Sequence, residues 1–397
     1  MALAAMLLRT LPPPAEALPP LPPGATILQV LPSLASGGVE RGTVEMAEAI
    51  TRAGGRALVA SAGGPMVRLV EHVGGEHVWL DLMTRDPLSI WRNAGRLASL
   101  VRSERVALVH ARSRAPAWSA WLAARRTATP LVTTWHGVHG EEFPGKRRYN
   151  AVLARGGRVI AISGFVAAQV AGRHGVGPDR LRVIPRGVDV AAFDPAVVSG
   201  ARLHRLASAW RLPEGVRVVM LPARLARWKG HAVLLDALAL LGQADVCAVL
   251  VGAEGGRGRY GAELVAQAAR LGLGGRLRLV GYCDDMPAAL LLADAVVSAS
   301  LRPEPFGRVV IEAQAMGRAV IAADGGGAAE TIEPGATGWR VPAGDAAALA
   351  ATLAVVLALR PEERAALGAQ ARAAVLAGFT AARMQAATLA VYNELLG

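Results

Sequence analysis

Two glutamates eight positions apart, Glu304 and Glu312, lie in a markedly apolar stretch, RPEPFGRVVIEAQAMGRAVIAADGGG at residues 302–327. Removing a carboxylate from water costs several kcal/mol unless hydrogen-bond donors or a cation accompany it. The donors must come from the protein or from a ligand. A sugar ring carries several hydroxyl donors, and backbone amides at the Pro-Phe-Gly turn can bind a phosphate. The stretch therefore favours a site for a polyhydroxylated, phosphorylated ligand.

The two glutamates differ in how well local structure alone explains them. Glu304 stands just before a helix that we predict to start at Phe306, where the helix dipole already favours a carboxylate. Glu312 has apolar neighbours on nearly every side, so its helix is predicted to be buried. Arg308, four residues earlier, can pair with Glu312, but this order of charges contributes only about a few tenths of a kcal/mol. Glu312 is therefore the stronger candidate for ligand binding.

A second charged segment, PARLARWKGH at residues 222–231, follows a predicted strand. Arg224 and Lys229 flank the turn into a helix opened by Gly230 and His231, and two cations beside a helix N-terminus can bind a pyrophosphate without a metal. Lys229 is one of only two lysines among 43 basic residues, which favours a site that needs a compact point charge. The alternative is a solvated surface lysine.

A glycine pair follows the first predicted strand, in PSLASGGVERGTVEMAEAI at residues 32–50. Gly37 and Gly38 would let the backbone approach a ligand at the N-terminus of a helix beginning near Val39. The pair is not the spaced three-glycine dinucleotide fingerprint, and no acidic residue follows at the distance that fingerprint requires. A simple tight turn is the alternative.

Short apolar runs alternate with Ala/Leu-rich helical segments along most of the chain, which is typical of doubly wound α/β units. Two series of such runs, separated near residues 187–215, predict two domains facing each other across a cleft. From Asp345 onward the composition is helical, with breaks expected at Pro361 and Gly378–Phe379. The predicted strands are TILQVLP, RALVASA, HVWLDL, VALVHA, PLVTTW and RVIAIS in the first series, and VRVVMLPAR, CAVLVGAE, RLRLVGY, AVVSAS and AVIAAD in the second.

Composition limits the class of protein. The 397 residues are 53% hydrophobic with a mean hydropathy of +0.34, but no apolar run reaches the roughly 18 residues of a membrane span. Two cysteines and the lack of zinc-ligand spacing favour a reducing compartment, and we expect a cytoplasmic protein. Residues 1–23 lack the basic start of a signal peptide and are predicted to be a disordered, proline-rich tail.

The net charge of +12 is concentrated in residues 101–160, which hold eleven Arg/Lys against three Glu. Nucleic acid is disfavoured as a partner because no binding motif appears and aromatic residues are only 4% of the chain. Trp118, Trp121 and Trp135, with the basic GKRRYN segment, favour peripheral attachment to an anionic membrane. A solvated charged face is the alternative.

These segments together resemble retaining GT-B glycosyltransferases of family 4. The stretch PEPFGRVVIEAQAMGRAVIAADGGGAAETI is similar to the glutamate-pair signature of that family. ARLARWKG, VGAEG, LVGYCDDMPAALLLADAVVSAS and GATGWRVPAGD match it in order and spacing. PSLASGGVER, HARSRAPAW, LVTTWHG and VIPRGVDVAAFDP match its N-terminal half. The resemblance covers nearly everything from about residue 26 to the end. One departure is Arg186, where many relatives carry Asn.

The resemblance implies roles for particular residues. Glu304 would contact the donor sugar, Glu312 the ribose, and Arg224 and Lys229 the diphosphate, while His136 would lie near the sugar and the acceptor. For His136 a purely structural role is the alternative. The substrate-binding positions implied are Gly37, Gly38, Arg224, Lys229, Gly281, Tyr282, Glu304, Phe306, Gly307, Arg308, Val309 and Glu312.

The resemblance also implies an organisation and a reaction. Residues 24–195 would form the acceptor-side domain, residues 196–378 the nucleotide-sugar domain, and residues 379–397 a helix crossing back to the first. The donor would be a UDP- or GDP-sugar and the acceptor a glycan or lipid-linked molecule, as in lipopolysaccharide synthesis. No Asp-x-Asp motif appears, so no metal and no other cofactor are expected. Two rival hypotheses are a nucleotide-sugar 2-epimerase on the same scaffold and a non-catalytic scaffold on anionic membrane.

Overall fold

The chain forms two compact units. One comprises the residues up to Arg186 together with Ala381–Gly397, and the other comprises Gly187–Thr380. The predicted domain boundary after residue 195 thus lies inside the second unit. The computed structural model describes residues 18–35, 37–141, 145–254 and 258–397.

The first unit contains a parallel sheet of seven strands in the order β3-β2-β1-β4-β5-β6-β7. Its strands are β1 (Thr26–Val30), β2 (Arg56–Ser61), β3 (Glu76–Trp79), β4 (Val106–Ala111), β5 (Leu131–Trp135), β6 (Arg158–Ala161) and β7 (Leu181–Val183). Its described helices are α1 (Gly38–Arg52), α2 (Val67–His72), α3 (Pro87–Ser103), α4 (Arg114–Thr127), α5 (Lys146–Asn150) and α6 (Gly164–His174), and the C-terminal helix Ala381–Leu396 also belongs to this unit.

The second unit contains a parallel sheet of six strands in the order β10-β9-β8-β11-β12-β13. Its strands are β8 (Arg217–Pro222), β9 (Val246–Val251), β10 (Leu277–Gly281), β11 (Ala295–Ser298), β12 (Ala319–Ala323) and β13 (Trp339–Val341). Its described helices are α7 (Gly200–Ala209), α8 (His231–Leu241), α9 (Tyr260–Arg270), α10 (Met286–Leu291), α11 (Arg308–Ala315), α12 (Ala346–Ala358) and α13 (Pro361–Gly378), and the helix Ala381–Leu396 of the first unit is α14.

The central strands of both sheets are buried along their length because crossover helices cover both faces. Every residue of β1, β5, β9 and β12 is buried, which is why β9 and β12 are continuous apolar runs and why none of the four alternates between apolar and charged residues. The predicted α/β class with two doubly wound parallel sheets is confirmed. Two strands of three residues, β7 and β13, carry too short a signal to be predicted.

The end of the predicted N-terminal tail is ordered. Leu21 is buried in the core of the first unit, and its N–H donates to the carbonyl of Ala53 at 3.0 Å. The side-chain amide of Asn393 donates to the carbonyl of Pro20 at 2.9 Å. Disorder is therefore the wrong prediction for residues 18–23, since one leucine and two hydrogen bonds attach this segment. The rest of the predicted tail lies outside the described residues.

The C-terminal segment has the predicted breaks. Pro361 is the first residue of α13, where its missing N–H costs nothing, and α13 ends at Gly378. Within the described residues no helix has both the length and the apolar character needed to cross a membrane.

Candidate functional site

Lys229 ends a short 3₁₀ turn, Arg227–Lys229, that follows β8 and precedes α8. The next residue, Gly230, has φ of 76°, and a Cβ atom there would lie 1.9 Å from the carbonyl oxygen of Ala299. Only glycine tolerates both the left-handed backbone and this approach. Gly230 thus lets the Lys229 turn pack against the chain that leaves β11.

Glu304 lies where that chain continues, and it meets Lys229 directly. The Lys229 ammonium donates to Oε1 of Glu304, and the Ser300 hydroxyl donates to the same oxygen at 2.5 Å. Glu304 is only 8% exposed, so the protein itself supplies the donors that a buried carboxylate needs. Lys229 Nζ also lies 4.2 Å from the centre of the Trp228 ring, a cation–π contact.

The backbone of Glu304 is held by the glycine-rich end of the opening stretch. Its carbonyl accepts the N–H of Gly327 at 2.7 Å, and Glu304 forms an isolated bridge with Gly326. A Cβ at Gly326 would lie 2.2 Å from the Glu304 carbonyl oxygen. These glycines therefore fix the carboxylate through the main chain as well as through its side-chain partners.

The helix after this turn begins later than predicted. The sequence predicts a start at Phe306, whereas α11 begins at Arg308 because Gly307 is in the left-handed region, with φ of 82°. Phe306 is instead buried, with its ring centre 6.0 Å from that of Phe379. The first-turn N–H groups, those of Arg308 and Val309 among them, have no acceptor within the helix.

Glu312 is buried on the second turn of α11. Its Oε1 lies 3.4 Å from Nε of Arg308, the pairing that the sequence suggests. The neighbouring Gln314 anchors the same helix by donating to the carbonyls of Thr331 and Thr337. A ligand hydroxyl would thus share Glu312 with a guanidinium.

The remaining predicted positions of this unit lie at strand ends. Arg224, two residues beyond β8, is exposed and forms no hydrogen bond or ion pair within the part of the chain that the structure describes. Gly281 ends β10 with φ of 68°, and its carbonyl accepts the N–H of Gly252 at 2.7 Å. Tyr282 follows and is 75% exposed. Ligands of parallel sheets bind at this carboxyl edge.

In the first unit, the predicted glycine turn is held by an arginine. Gly37 caps α1, which starts at Gly38, and the Arg186 guanidinium donates to the Gly38 carbonyl at 2.9 Å. Arg186 also lies 3.4 Å from Glu45, and a Cβ at Gly42 would be only 1.9 Å from its Nη2. The residue that departs from the family pattern thus supports the helix that carries Gly37 and Gly38.

A buried polar network lies beside this helix. Arg112 is only 2% exposed, and its Nη1 donates to Oε1 of Gln29 at 2.9 Å. His110 is hydrogen-bonded through its two ring nitrogens to Tyr392 and Thr134, each at 2.7 Å. Sequence reasoning missed these residues because their partners are distant in the chain.

His136 follows β5 in the same unit. Burial, and then the charges of Arg112 and Arg186, lower its pKa well below the usual value, so the ring is neutral. Its Nε2 atom is buried and has no hydrogen-bond partner among the described residues. This nitrogen is therefore open to a ligand hydroxyl or to a water molecule.

Two family models match this chain. The model described as Glycosyltransferase Family 4 matches residues 36–192, and the model described as Glycosyl transferases group 1 matches residues 205–374. A D-inositol 3-phosphate glycosyltransferase of Salinispora tropica is 31% identical over 366 residues, which cover 83% of this chain and 72% of the relative. This chain belongs to glycosyltransferase family 4. It is an enzyme that transfers a sugar from a nucleotide sugar.

Solved structures extend the likeness over almost the whole glycosyltransferase. A glycosyltransferase from Rickettsia africae ESF-5 is 34% identical with a TM-score of 0.87, covering 94% of this chain and 99% of that one. HepE of Anabaena, solved in complex with UDP-glucose, is 27% identical with a TM-score of 0.81, covering 93% and 99%. The two units therefore have the GT-B fold.

Two further sequence predictions for this glycosyltransferase concern metal ligands and the tryptophans expected to contact a membrane. Among the described residues, no group of three or more His, Cys, Asp or Glu could hold a metal ion. Trp135 is buried, and Trp118 and Trp121 are partly buried against each other and against Arg155. The three tryptophans predicted to meet a membrane are thus largely used within the protein.

Proposed function

We propose that this enzyme moves a hexosyl group from a UDP- or GDP-sugar to a glycan or lipid-linked acceptor of the cell envelope, such as a lipopolysaccharide core, and retains the anomeric configuration. The observation that carries the proposal is the contact between Lys229 and Glu304 beside the N-terminus of α11. One cation for a diphosphate and one carboxylate for sugar hydroxyls then stand side by side.

Charge stabilisation is the main catalytic contribution in this proposal. Breaking the anomeric C–O bond places negative charge on the leaving diphosphate, and preorganised cations and amides aimed at that charge lower the barrier most. Lys229, exposed Arg224 and the first-turn amides of α11 supply them. Glu304 and Glu312 accept hydrogen bonds from the sugar and the ribose, while Gly281 and Tyr282 border the base.

Residues of the first unit complete the assignment. The backbone of Gly37 and Gly38 contacts the donor phosphate, and neutral His136 offers Nε2 to a sugar or acceptor hydroxyl. Family resemblance supports a front-face reaction in which the leaving phosphate takes the acceptor's proton, so no enzyme nucleophile is needed. The stabilising charges all come from protein groups, and the reaction is proposed to need no metal.

The identity of the donor is the part of the proposal that is easiest to test. HepE, solved with UDP-glucose, supports a uridine nucleotide, and a screen of UDP- and GDP-sugars for binding and hydrolysis decides between the bases. Turnover should persist in EDTA, and an activity abolished by EDTA and restored by magnesium would contradict the metal-free mechanism. An isomerised sugar formed from UDP-sugar alone would instead support the 2-epimerase, and no binding of any donor would favour a scaffold.

A second acceptor class is an inositol phosphate. The curated relatives that match most of this chain are named D-inositol 3-phosphate glycosyltransferases. Incubating the enzyme and its preferred donor with either a lipid-linked glycan or inositol 3-phosphate separates the two. We propose that a lipid-linked acceptor is used at the cytoplasmic face of a membrane, because of the strongly basic segment at residues 101–160.

A further inference from the structure

Two large aromatic side chains of the first unit face solvent. Trp79, at the end of β3, is 67% exposed, and Trp91, on α3, is 60% exposed. Neither lies in the segment where the sequence predicts membrane contact. Exposed tryptophans are rare enough in a folded domain that a cluster of them indicates an interaction surface.

The two tryptophans belong to one continuous surface. A shallow hollow beside Trp79 and another beside Trp91 share Arg96 and Ser99 on α3 as lining residues. Leu88 is also exposed and lies one helical turn before Trp91, on the same side of α3. We call this the Trp79–Trp91 surface; its members are Trp79, Leu88, Trp91, Arg92, Arg96, Ser99, Arg102 and Arg126.

The charge of this surface is positive. Neither hollow includes a carboxylate among its described lining residues. Arg92, Arg96 and Arg126 form no ion pair with a carboxylate within the described ranges, and the Arg126 guanidinium lies 5.3 Å from the centre of the Trp91 ring. The half-buried Arg56 of β2, by contrast, is paired with Glu76 and Glu104.

Helix α3, which carries most of this surface, is amphipathic. The opposite side of α3 is buried, through Ala94, Leu97, Ala98 and Val101. No acidic residue occurs within α3; the carboxylate of Asp86, which precedes it, accepts the N–H of Ser89 at 2.7 Å and caps the helix. The solvent side thus presents apolar rings and several guanidinium groups, of which that of Arg92 also interacts electrostatically with Asp86.

We infer that the Trp79–Trp91 surface docks this enzyme on an anionic phospholipid bilayer. Tryptophan rings prefer the headgroup level of a membrane, and arginine stems lie along apolar surface while their guanidinium groups contact lipid phosphates. The inference rests on the proposed membrane-side function. It assigns that function to a surface whose tryptophans and most of whose arginine-bearing helix precede residue 101, with Arg102 and Arg126 as its members from the basic segment.

Vesicle sedimentation of the full chain tests the inference without donor or acceptor. The wild type should bind phosphatidylcholine vesicles that contain phosphatidylglycerol, bind pure phosphatidylcholine far less, and dissociate at high salt. The R92Q/R96Q variant should bind roughly thirtyfold more weakly, because each basic residue near an anionic surface contributes independently. The W79A/W91A variant should bind roughly tenfold more weakly.

Matched controls separate this surface from general charge and hydrophobicity. L240A/V265A removes two exposed apolar side chains of the second unit, and R211Q/R270Q removes two exposed arginines there; both should bind vesicles like the wild type. Surface variants that bind as the wild type does, or a wild type that ignores anionic vesicles, would overturn the inference. A partner protein is then the remaining occupant.

Donor hydrolysis in vesicle-free buffer distinguishes this inference from the proposed function. All four double variants should hydrolyse the donor like the wild type, since none changes a proposed donor contact. If the wild type binds the vesicles but neither it nor any variant hydrolyses the donor, the proposed function is refuted and the surface assignment stands. If the wild type hydrolyses the donor but does not bind the vesicles, the surface assignment is refuted and the proposed function stands.

Discussion

The two units of this glycosyltransferase accommodate buried charge in opposite ways. In the second unit, Lys229 and Glu304 neutralise each other at the carboxyl edge of the sheet, and exposed Arg224 lies nearby in sequence. In the first unit, Arg112 and Arg186 remain charged in the interior, and the histidines around them are kept neutral. In the first unit, burial and then these two cations keep the buried histidines from gaining positive charge.

The difference indicates which charges can exchange partners. Lys229 and Glu304 lie at the strand ends where a ligand is proposed to bind, and the groups of that ligand would replace the contacts that each side chain gives up. A buried guanidinium that donates to a carbonyl and a glutamate, as Arg186 does, cannot leave without stranding them. We therefore expect the second unit to perform the exchange of charge partners and the first to hold its polar groups fixed.

The largest expected effect is a lower acid stability of the first unit. Burial lowers the pKa of His139 to about 3, and burial with the Arg112 and Arg186 charges lowers the pKa of His110 and His136 well below the usual value. In the unfolded chain each titrates near 6.5, so below that pH the unfolded state binds protons that the native state cannot. By pH 4.5 protonation of unfolded His139 alone reduces the free energy of unfolding by about 3 kcal/mol, and His110 and His136 reduce it further.

The second unit has one comparable histidine, His231, whose pKa burial lowers to about 4. Hydrogen-exchange mass spectrometry during acidification should therefore show the first unit losing protection at higher pH than the second. His139→Gln should shift the first transition toward lower pH, because one proton-binding site of the unfolded state is removed. Loss of protection in both units together, or in the second unit first, would contradict the proposed contrast.

This contrast also marks the limit of sequence prediction. The sheets are predictable because the buried parallel strands are short, mostly apolar runs, and Lys229 is conspicuous as a rare lysine at a strand end. The contacts that support the site cannot be predicted from the sequence, because Arg186 and Gly38, for example, are 148 positions apart and only the fold brings them together. Ser300 carries no signal of its own in the sequence. The start of α11 was misplaced because the left-handed Gly307 delays the helix.

Removing the Lys229 charge should have the next largest effect. Lys229→Ala should reduce turnover by about 10²–10³-fold, the cost of losing one group that stabilises developing charge. The variant should also be less stable, because the buried Glu304 carboxylate loses its cation and keeps the Ser300 hydroxyl as a side-chain donor. Steady-state kinetics and thermal unfolding measure the two quantities. Lys146→Ala, which removes the other lysine of the chain, is the control and should transfer normally; normal transfer by Lys229→Ala would refute the assignment.

A methyl group at Gly42 should destabilise the first unit through Arg186. The added Cβ would displace the Arg186 guanidinium from Gly38 and Glu45, and loss of such a charge-assisted hydrogen bond costs about 2 kcal/mol. Denaturant unfolding measures the change. Arg186→Asn is expected to be destabilising alone, but adding Gly42→Ala to it should cost almost nothing more. Additive losses in the double variant would show that Gly42 is required for another reason.

The smallest predicted effect concerns Ser300, which positions Glu304 in the second unit. Ser300→Ala removes the hydroxyl that donates to Oε1 of Glu304, and a neutral donor to a charged acceptor contributes about 1.5 kcal/mol, or roughly tenfold in kcat/KM. Because the carboxylate is proposed to hold the donor sugar, the loss should appear mainly as a higher KM for the donor. Ser300→Thr retains the hydroxyl and should restore most of it. An equal loss in both variants would indicate that packing, rather than the hydrogen bond, matters at this position, and that Glu304 is held by Lys229 and the glycine-rich backbone alone.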